Sequence, residues 1–141
     1  MTLRHTGNDY ILAGDSQIVA VNGASGAMVF IYGSNDTFYD NFSTAVTLSL
    51  HGNHERIVQY GGSPTLTIRG FNATDSLSVY GLFLDAAGNP LPAGSSPTAG
   101  SLKSDGHGGW ELPLAYNGGS IDFVHTRAST ILAAHIVASV R

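Results

Sequence analysis

The stretch Gly33-Ser-Asn-Asp-Thr-Phe38 is followed 19 residues later by Gly52-Asn-His-Glu-Arg-Ile57, and the two segments align glycine on glycine and acid on acid. Similar residues follow Gly14 and Gly70, and the four glycines are 19, 19 and 18 residues apart. A period near 20 residues is typical of proteins in which each unit buries its apolar side by stacking on its neighbours. The spacing therefore predicts a stacked repeat over residues 7–84.

Each unit holds two short apolar stretches that are typical of strands. Val46, Leu48 and Leu50 alternate with Thr47 and Ser49, which is the period of a half-buried strand. We therefore predict an all-β fold, a short parallel β-solenoid with about 19 residues per coil. The predicted strands are Gln17–Val21, Ala27–Ile31, Asp36–Phe42, Val46–Leu50, Glu55–Tyr60, Thr65–Ile68 and Asp75–Tyr80.

The C-terminal part of the chain lacks this period. Residues 85–104 contain three of the five prolines and predict a loop. A hairpin is predicted from Trp110–Tyr116 and Ile121–His125, followed by a helix within Arg127–Val140. We interpret residues 105–141 as a hairpin-plus-helix cap that closes the stack, so that residues 1–141 form a single domain.

Composition narrows the function classes. The sequence has six Lys and Arg and ten Asp and Glu, which gives a net charge of −4. It contains no basic patch, so nucleic-acid binding is disfavoured. The absence of cysteine excludes disulfides, thiolate metal sites and a cysteine nucleophile. No run approaches the ~20 apolar residues of a membrane span. Only 11% of the residues are charged, so the polar surface must consist mainly of Ser, Thr, Asn and Gly. Such a composition favours an extracellular or cell-surface location.

One segment near the start, Gly7-Asn-Asp-Tyr-Ile-Leu-Ala-Gly-Asp15, resembles the nonapeptide of the RTX (hemolysin-type calcium-binding) β-roll family of secreted bacterial proteins. Gly70-Phe-Asn-Ala-Thr-Asp-Ser-Leu77 and Ser104-Asp-Gly-His-Gly-Gly109 are similar to segments that end such rolls in type I-secreted proteins. The resemblance implies calcium held between stacked turns, with Asp9, Asp15 and Asp36 as ligands. The alternative is that these acids cap turns through hydrogen bonds.

Other polar clusters give weaker indications. His51, His54 and Glu55 could hold a transition metal on a turn, although an exposed polar turn explains them better. Asp36 with Asp40, or Asp36 with Glu55, could form a pair of carboxylates of the kind that catalyse glycoside hydrolysis. A repeat, however, also places acids in register when they have no catalytic role. We predict that the protein is not an enzyme.

Aromatic residues suggest a surface for a partner. Phe30 and Tyr32 flank the inward-facing Ile31, and Tyr39 is opposite in phase to Phe38. We interpret Phe30, Tyr32 and Tyr39 as a partner patch; the alternative is that the C-terminal cap or loop 85–104 covers it.

The predicted function is that of a non-catalytic secreted or cell-surface structural or adhesive protein that self-assembles end to end into filaments or layers. This prediction rests on an open first coil, because uncovered strand edges pair readily with a second copy. Two alternatives remain open. One is a calcium-responsive RTX-type secretion and folding module of a larger exported protein, and the other is a small carbohydrate-binding or carbohydrate-active protein that contacts a surface glycan.

Overall fold

The computed structural model describes residues 2–3, 9–12, 14–21, 28–40, 46–59, 66–115 and 119–139. This part of the chain is built mainly of short strands, with one 3₁₀ turn at Ala99–Ser101 and one helix, α1, at Ala128–Ala133. The strands are β1 Thr2–Leu3, β2 Asp9–Leu12, β3 Ile18–Val21, β4 Met28–Ile31, β5 Thr37–Asp40, β6 Val46–Leu50, β7 Arg56–Gln59, β8 Leu66–Arg69, β9 Ser76–Tyr80, β10 Lys103–Ser104, β11 Trp110–Pro113, β12 Ser120–Val124 and β13 His135–Ser139.

These strands form two sheets, and from β1 to β9 successive strands alternate between them. The six-stranded sheet, in the order β1-β3-β5-β7-β9-β13, is parallel throughout; we call it the parallel sheet. The seven-stranded sheet, in the order β10-β11-β12-β8-β6-β4-β2, is parallel from β2 to β12 and antiparallel from β12 to β10; we call it the mixed sheet.

The prediction of a parallel β-solenoid as the fold of the chain is wrong. The described residues form two sheets, of which one is mixed, together with a helix. The cause lies in the C-terminal third, where β11 runs antiparallel to β12 and β10 antiparallel to β11. The predicted hairpin strands are present, but they extend the mixed sheet instead of closing the stack as a separate cap, because β12 also pairs in parallel with β8.

A single core lies between the two sheets. The mixed sheet contributes a row of paired residues, Val29, Leu48, Ile68 and Phe123, all of them fully buried. The parallel sheet faces it with an equivalent row, Val19, Phe38, Ile57, Leu77 and Ile136. Side chains alternate between the two faces along a strand. In each strand, the residues directly before and after a member of these rows therefore point away from the core. The outer faces of the two sheets therefore lie on opposite sides of the molecule.

The predicted helix over Arg127–Val140 is only half right. Helix α1 ends at Ala133, and residues 135–139 form strand β13 at the edge of the parallel sheet. Ile136 and Ala138 are buried with the period of two that a strand requires. No helix in the described part of the chain is long and apolar enough to cross a membrane.

The loop before β10 covers the outer edge of β13. The Gly94 N–H donates to the Ala138 carbonyl at 2.8 Å, and the Ala138 N–H donates to the Ser95 carbonyl at 3.0 Å. Leu91 and Leu102 of the same loop pack against or within the core. These contacts cover the outer edge of the parallel sheet at Ala138.

Candidate functional site

The turns that follow β2, β4 and β6 stack directly on one another. Ser16, Asn35 and His54 occupy equivalent positions with φ of 54°, 61° and 58°, a left-handed conformation that few residues adopt. A Cβ atom added to Gly33 would collide with the carbonyl oxygen of Gly14, and one added to Gly52 with that of Gly33. The glycine spacing therefore has a packing cause, since only glycine allows the turns to approach this closely.

A column of buried acids lies beside these turns. Asp36, Glu55 and Asp75 are each at most 2% exposed. Each accepts a hydrogen bond from a backbone N–H one turn earlier: Asp36 Oδ1 from Gln17 at 2.6 Å, Glu55 Oε2 from Asp36 at 3.2 Å, and Asp75 Oδ1 from Glu55 at 2.8 Å. We call these three residues the acid column. They supply hydrogen-bond acceptors that the strand ladders do not provide.

The acid column carries more negative charge than its hydrogen bonds satisfy. Asp36 Oδ2 and Glu55 Oε1 are buried and have no hydrogen-bond partner among the described residues. Burial and the neighbouring Asp36 carboxylate raise the pKa of Glu55 to about 7. Burial also raises the pKa of Asp75, against the lowering effect of the backbone N–H groups that it accepts. At neutral pH the column therefore holds a proton part of the time.

The three predicted calcium ligands do not meet in one described site. Asp15 is exposed and accepts a hydrogen bond from the Ser34 N–H at 2.8 Å, while Asp36 belongs to the acid column. Asp9 lies in β2, and its side chain is outside the described residues. Within the described ranges no group of three or more His, Asp or Glu is placed to hold a metal ion. Calcium binding stays a prediction.

The histidines of the predicted turn cluster have other contacts. The His51 ring stacks on Tyr32, with centroids 4.4 Å apart and planes 10° apart, and lies 3.1 Å from the Ser49 hydroxyl. His54 donates its backbone N–H to the Thr74 hydroxyl at 3.0 Å. The two residues serve the stacking of the turns in this structure.

The predicted aromatic patch is divided between two faces. Phe30 is half-buried on the outer face of the mixed sheet, and Tyr32 follows β4 and is 51% exposed. Tyr39 is half-buried on the outer face of the parallel sheet. Sequence reasoning missed Ile11, which pairs with Phe30 and is 68% exposed. Tyr10 and Leu12 on either side of Ile11 are also apolar, so the sequence carries no alternation that marks Ile11 as facing outward.

The N-terminal end differs from the C-terminal end in what covers its strands. Strands β1 and β2 are the first strands of their sheets, and no described residue pairs with their outer edges. Ile11 on one sheet and Ile18 on the other are 68% and 62% exposed, and the turn at residues 14–16 connects their strands. We call these residues and edges the N-terminal end. Within the described part of the chain, it presents aliphatic surface beside backbone edges that have no strand partner.

A cleft of about 540 Å³ lies between the turn after β8 and the segment that leads from β12 to α1. Its lining consists of Arg69, Gly70, Phe71, Asn72, Val124, His125, Thr126, Arg127 and Thr130. Sequence reasoning missed it, because its two walls are far apart along the chain and meet only through the pairing of β8 with β12.

What this chain does is inferred from its own geometry. No protein-family model matches the sequence, and no curated protein or solved structure matches it.

Proposed function

We propose that the protein is a non-catalytic structural protein of the extracellular space or cell surface that associates with a second copy through the N-terminal end. The observation that carries the proposal is the exposure of Ile11 and Ile18 beside the open edges of β1 and β2. Open edges offer unpaired N–H and C=O groups to another strand. Exposed aliphatic side chains next to such an edge add apolar surface that association removes from water.

The expected association is weak. Burying an isoleucine side chain fully is worth roughly 1.5–3 kcal/mol, so the exposed parts of Ile11 and Ile18 are worth about 1–2 kcal/mol each. A symmetric pair buries four such side chains, against an association cost of roughly 4–15 kcal/mol. Backbone hydrogen bonds between edge strands must supply the remainder.

Association at this end favours a closed pair of molecules over a filament. A filament requires a second open end that complements the first. The C-terminal edge of the parallel sheet is covered by Gly94 and Ser95, and the mixed sheet ends in β10, whose two residues include the charged Lys103. Charged, short edge strands resist further pairing. Two copies that meet through their N-terminal ends satisfy both open edges at once.

The burial of the acid column supports a non-catalytic role. A pair of carboxylates acts on a glycosidic bond only when a substrate can reach both groups. Asp36 and Glu55, the pair considered for such chemistry, are 1% and 2% exposed. They face the interior and bond to backbone N–H groups.

Ile11→Lys and Ile18→Lys are each expected to weaken self-association by at least tenfold, because a lysine ammonium at the contact loses hydration without gaining a partner. Sedimentation equilibrium between about 10 µM and about 1 mM protein measures the dissociation constant. Leu132→Lys is the matched control, since Leu132 is also exposed, at 40%, but lies on α1. It should leave the constant unchanged. A wild-type protein that remains monomeric at the highest concentration contradicts the proposal, as does association that Ile11→Lys and Ile18→Lys leave intact.

Repeating the measurement in chelator and in millimolar calcium separates this function from the calcium-responsive alternative. The proposed pair forms in both buffers, because none of its contacts requires a metal. A chain that folds only when calcium is added, as judged by circular dichroism, would favour the secretion and folding module instead.

A further inference from the structure

The cleft exists because the regular stacking of turns stops at β8. The turns after β2, β4 and β6 lie directly on one another, whereas the chain after β12 turns away at His125, with a φ of 51°, and enters α1. The turn at residues 70–72 therefore has no equivalent turn above it. Phe71 and Phe123 hold the two walls together with an edge-on ring contact, at a centroid distance of 5.0 Å and an interplanar angle of 64°.

The lining of the cleft is positively charged in a chain that is negative overall. Arg69 and Arg127 are two of only six Lys and Arg in the sequence, and they come from opposite walls. The exposed His125 stands beside them, and none of the lining residues is an acid. Neither guanidinium forms an ion pair with another residue of the described ranges. Two arginines that share one cleft create a local positive potential.

We propose that this cleft binds a small organic anion, whose carboxylate or phosphate oxygens pair with Arg69 and Arg127. A guanidinium presents its N–H donors in a planar fork that matches both kinds of oxyanion. The neighbouring hydroxyl of Thr130 adds a polar group able to contact a ligand hydroxyl. A volume of about 540 Å³ lies within the range of small-molecule sites and suits a molecule of the size of a sugar acid or sugar phosphate.

The arrangement predicts that the two arginines determine which ligand binds, and that the rest of the lining contributes less to the affinity. Charge selects the ligand, so a neutral sugar of the same size should not bind measurably. Because both arginines are exposed, binding should weaken as salt is added.

The test is titration of the ¹⁵N-labelled protein with glucuronate, glucose 6-phosphate and glucose, followed by NMR. We expect saturable shifts of the amide signals of residues 69–72 and 124–130 with one or both anionic sugars, and none with glucose. The comparison of glucuronate with glucose 6-phosphate tells a carboxylate site from a phosphate site. Arg69→Gln and Arg127→Gln are each expected to weaken binding by about tenfold, as loss of a charged hydrogen-bond donor implies.

Arg56→Gln is the matched control, because Arg56 is an exposed arginine on β7 of the other sheet. It should leave the dissociation constant within twofold of the wild type. Equal binding of glucose, loss of affinity in Arg56→Gln as large as in Arg69→Gln, or no saturable shift with either anion at about 10 mM would each overturn the proposal. Self-association is read out separately through Ile11 and Ile18, so failure of one proposal leaves the other standing.

Discussion

Gly70→Ala is expected to lower the free energy of unfolding by about 3 kcal/mol. Two costs combine at this position. Gly70 has a φ of 77°, where a Cβ atom costs roughly 1–2 kcal/mol. The added Cβ would also collide with the backbone carbonyl oxygen of Leu50 in the neighbouring strand, and relieving such a clash by a backbone shift costs a further 1–3 kcal/mol or so. Urea denaturation measures the sum.

Gly88→Ala isolates the first cost, that of the backbone conformation, so that the difference between the two variants measures the clash. Gly88 has a similar φ of 85°, but an added Cβ would meet nothing within 4 Å. We expect a loss of about 1 kcal/mol from the backbone conformation alone. If the two alanine variants were equally destabilised, contact between stacked turns would not be the reason for glycine at position 70.

The second large effect is a dependence of stability on pH that comes from Glu55. Its pKa is 4.5 without the protein environment and about 7 in the fold. The folded state therefore binds more protons than the unfolded state between these values, and the free energy of unfolding falls as the pH rises through that range. The contribution of Glu55 is fully present below about pH 4.5 and is lost by about pH 7. The shift corresponds to about 3 kcal/mol.

The neighbouring carboxylates raise the pKa of Glu55, whereas the hydrogen bond from the Asp36 N–H lowers it. Asp36 and Asp75 flank it in the acid column and Asp15 lies further along the turns, and all three raise its pKa. Burial likewise raises the pKa of Asp75, which adds a loss of stability of the same sign at rising pH. His54 opposes that effect by lowering the pKa of Asp75.

Glu55→Gln is expected to remove most of the decline between pH 5 and pH 7 and to raise stability at pH 8 by up to about 3 kcal/mol. The glutamine carbonyl can still accept the Asp36 N–H, so the hydrogen bond of the column is kept. Glu111→Gln is the control, because Glu111 is the other glutamate of the chain and lies half-exposed on β11. Thermal unfolding at several pH values decides: an unchanged slope in Glu55→Gln would show that the proton is held elsewhere.

The regular part of the fold could be predicted because its cause is local. Glycine recurs where turns approach each other, and the apolar residues recur in phase, so Val29, Leu48 and Ile68 pair as the spacing indicates. The observed strands between residues 18 and 80 begin and end within two residues of the predicted ones. The predicted ends at Ala27, Phe42, Tyr60 and Thr65 lie outside the described residues.

The rest depends on contacts between residues far apart in the sequence. The alanine-rich segment after Arg127 has helical spacing. Residues 135–139 nevertheless form a strand, because they pair with the edge of β9 and bury Ile136 and Ala138 there. Likewise, Arg69 and Arg127 carry no motif and become neighbours only when β8 pairs with β12. The acids at positions 36 and 55 were identified, but their burial was not predicted, because acids in turns are usually solvated.

The pairing of β12 with β8 also bears on the order in which the chain folds. Neighbours in the stack, such as Phe38 and Ile57, are 19 residues apart, whereas Ile68 and Phe123 are roughly 55 residues apart. Closing the longer loop costs about 1 kcal/mol more in chain entropy, and contacts of long sequence separation form slowly. Pulse-labelled hydrogen exchange should therefore detect protection in β5 and β7 before β12. Since one wall of the cleft follows β12, the anion site is expected to be among the last parts of the molecule to form.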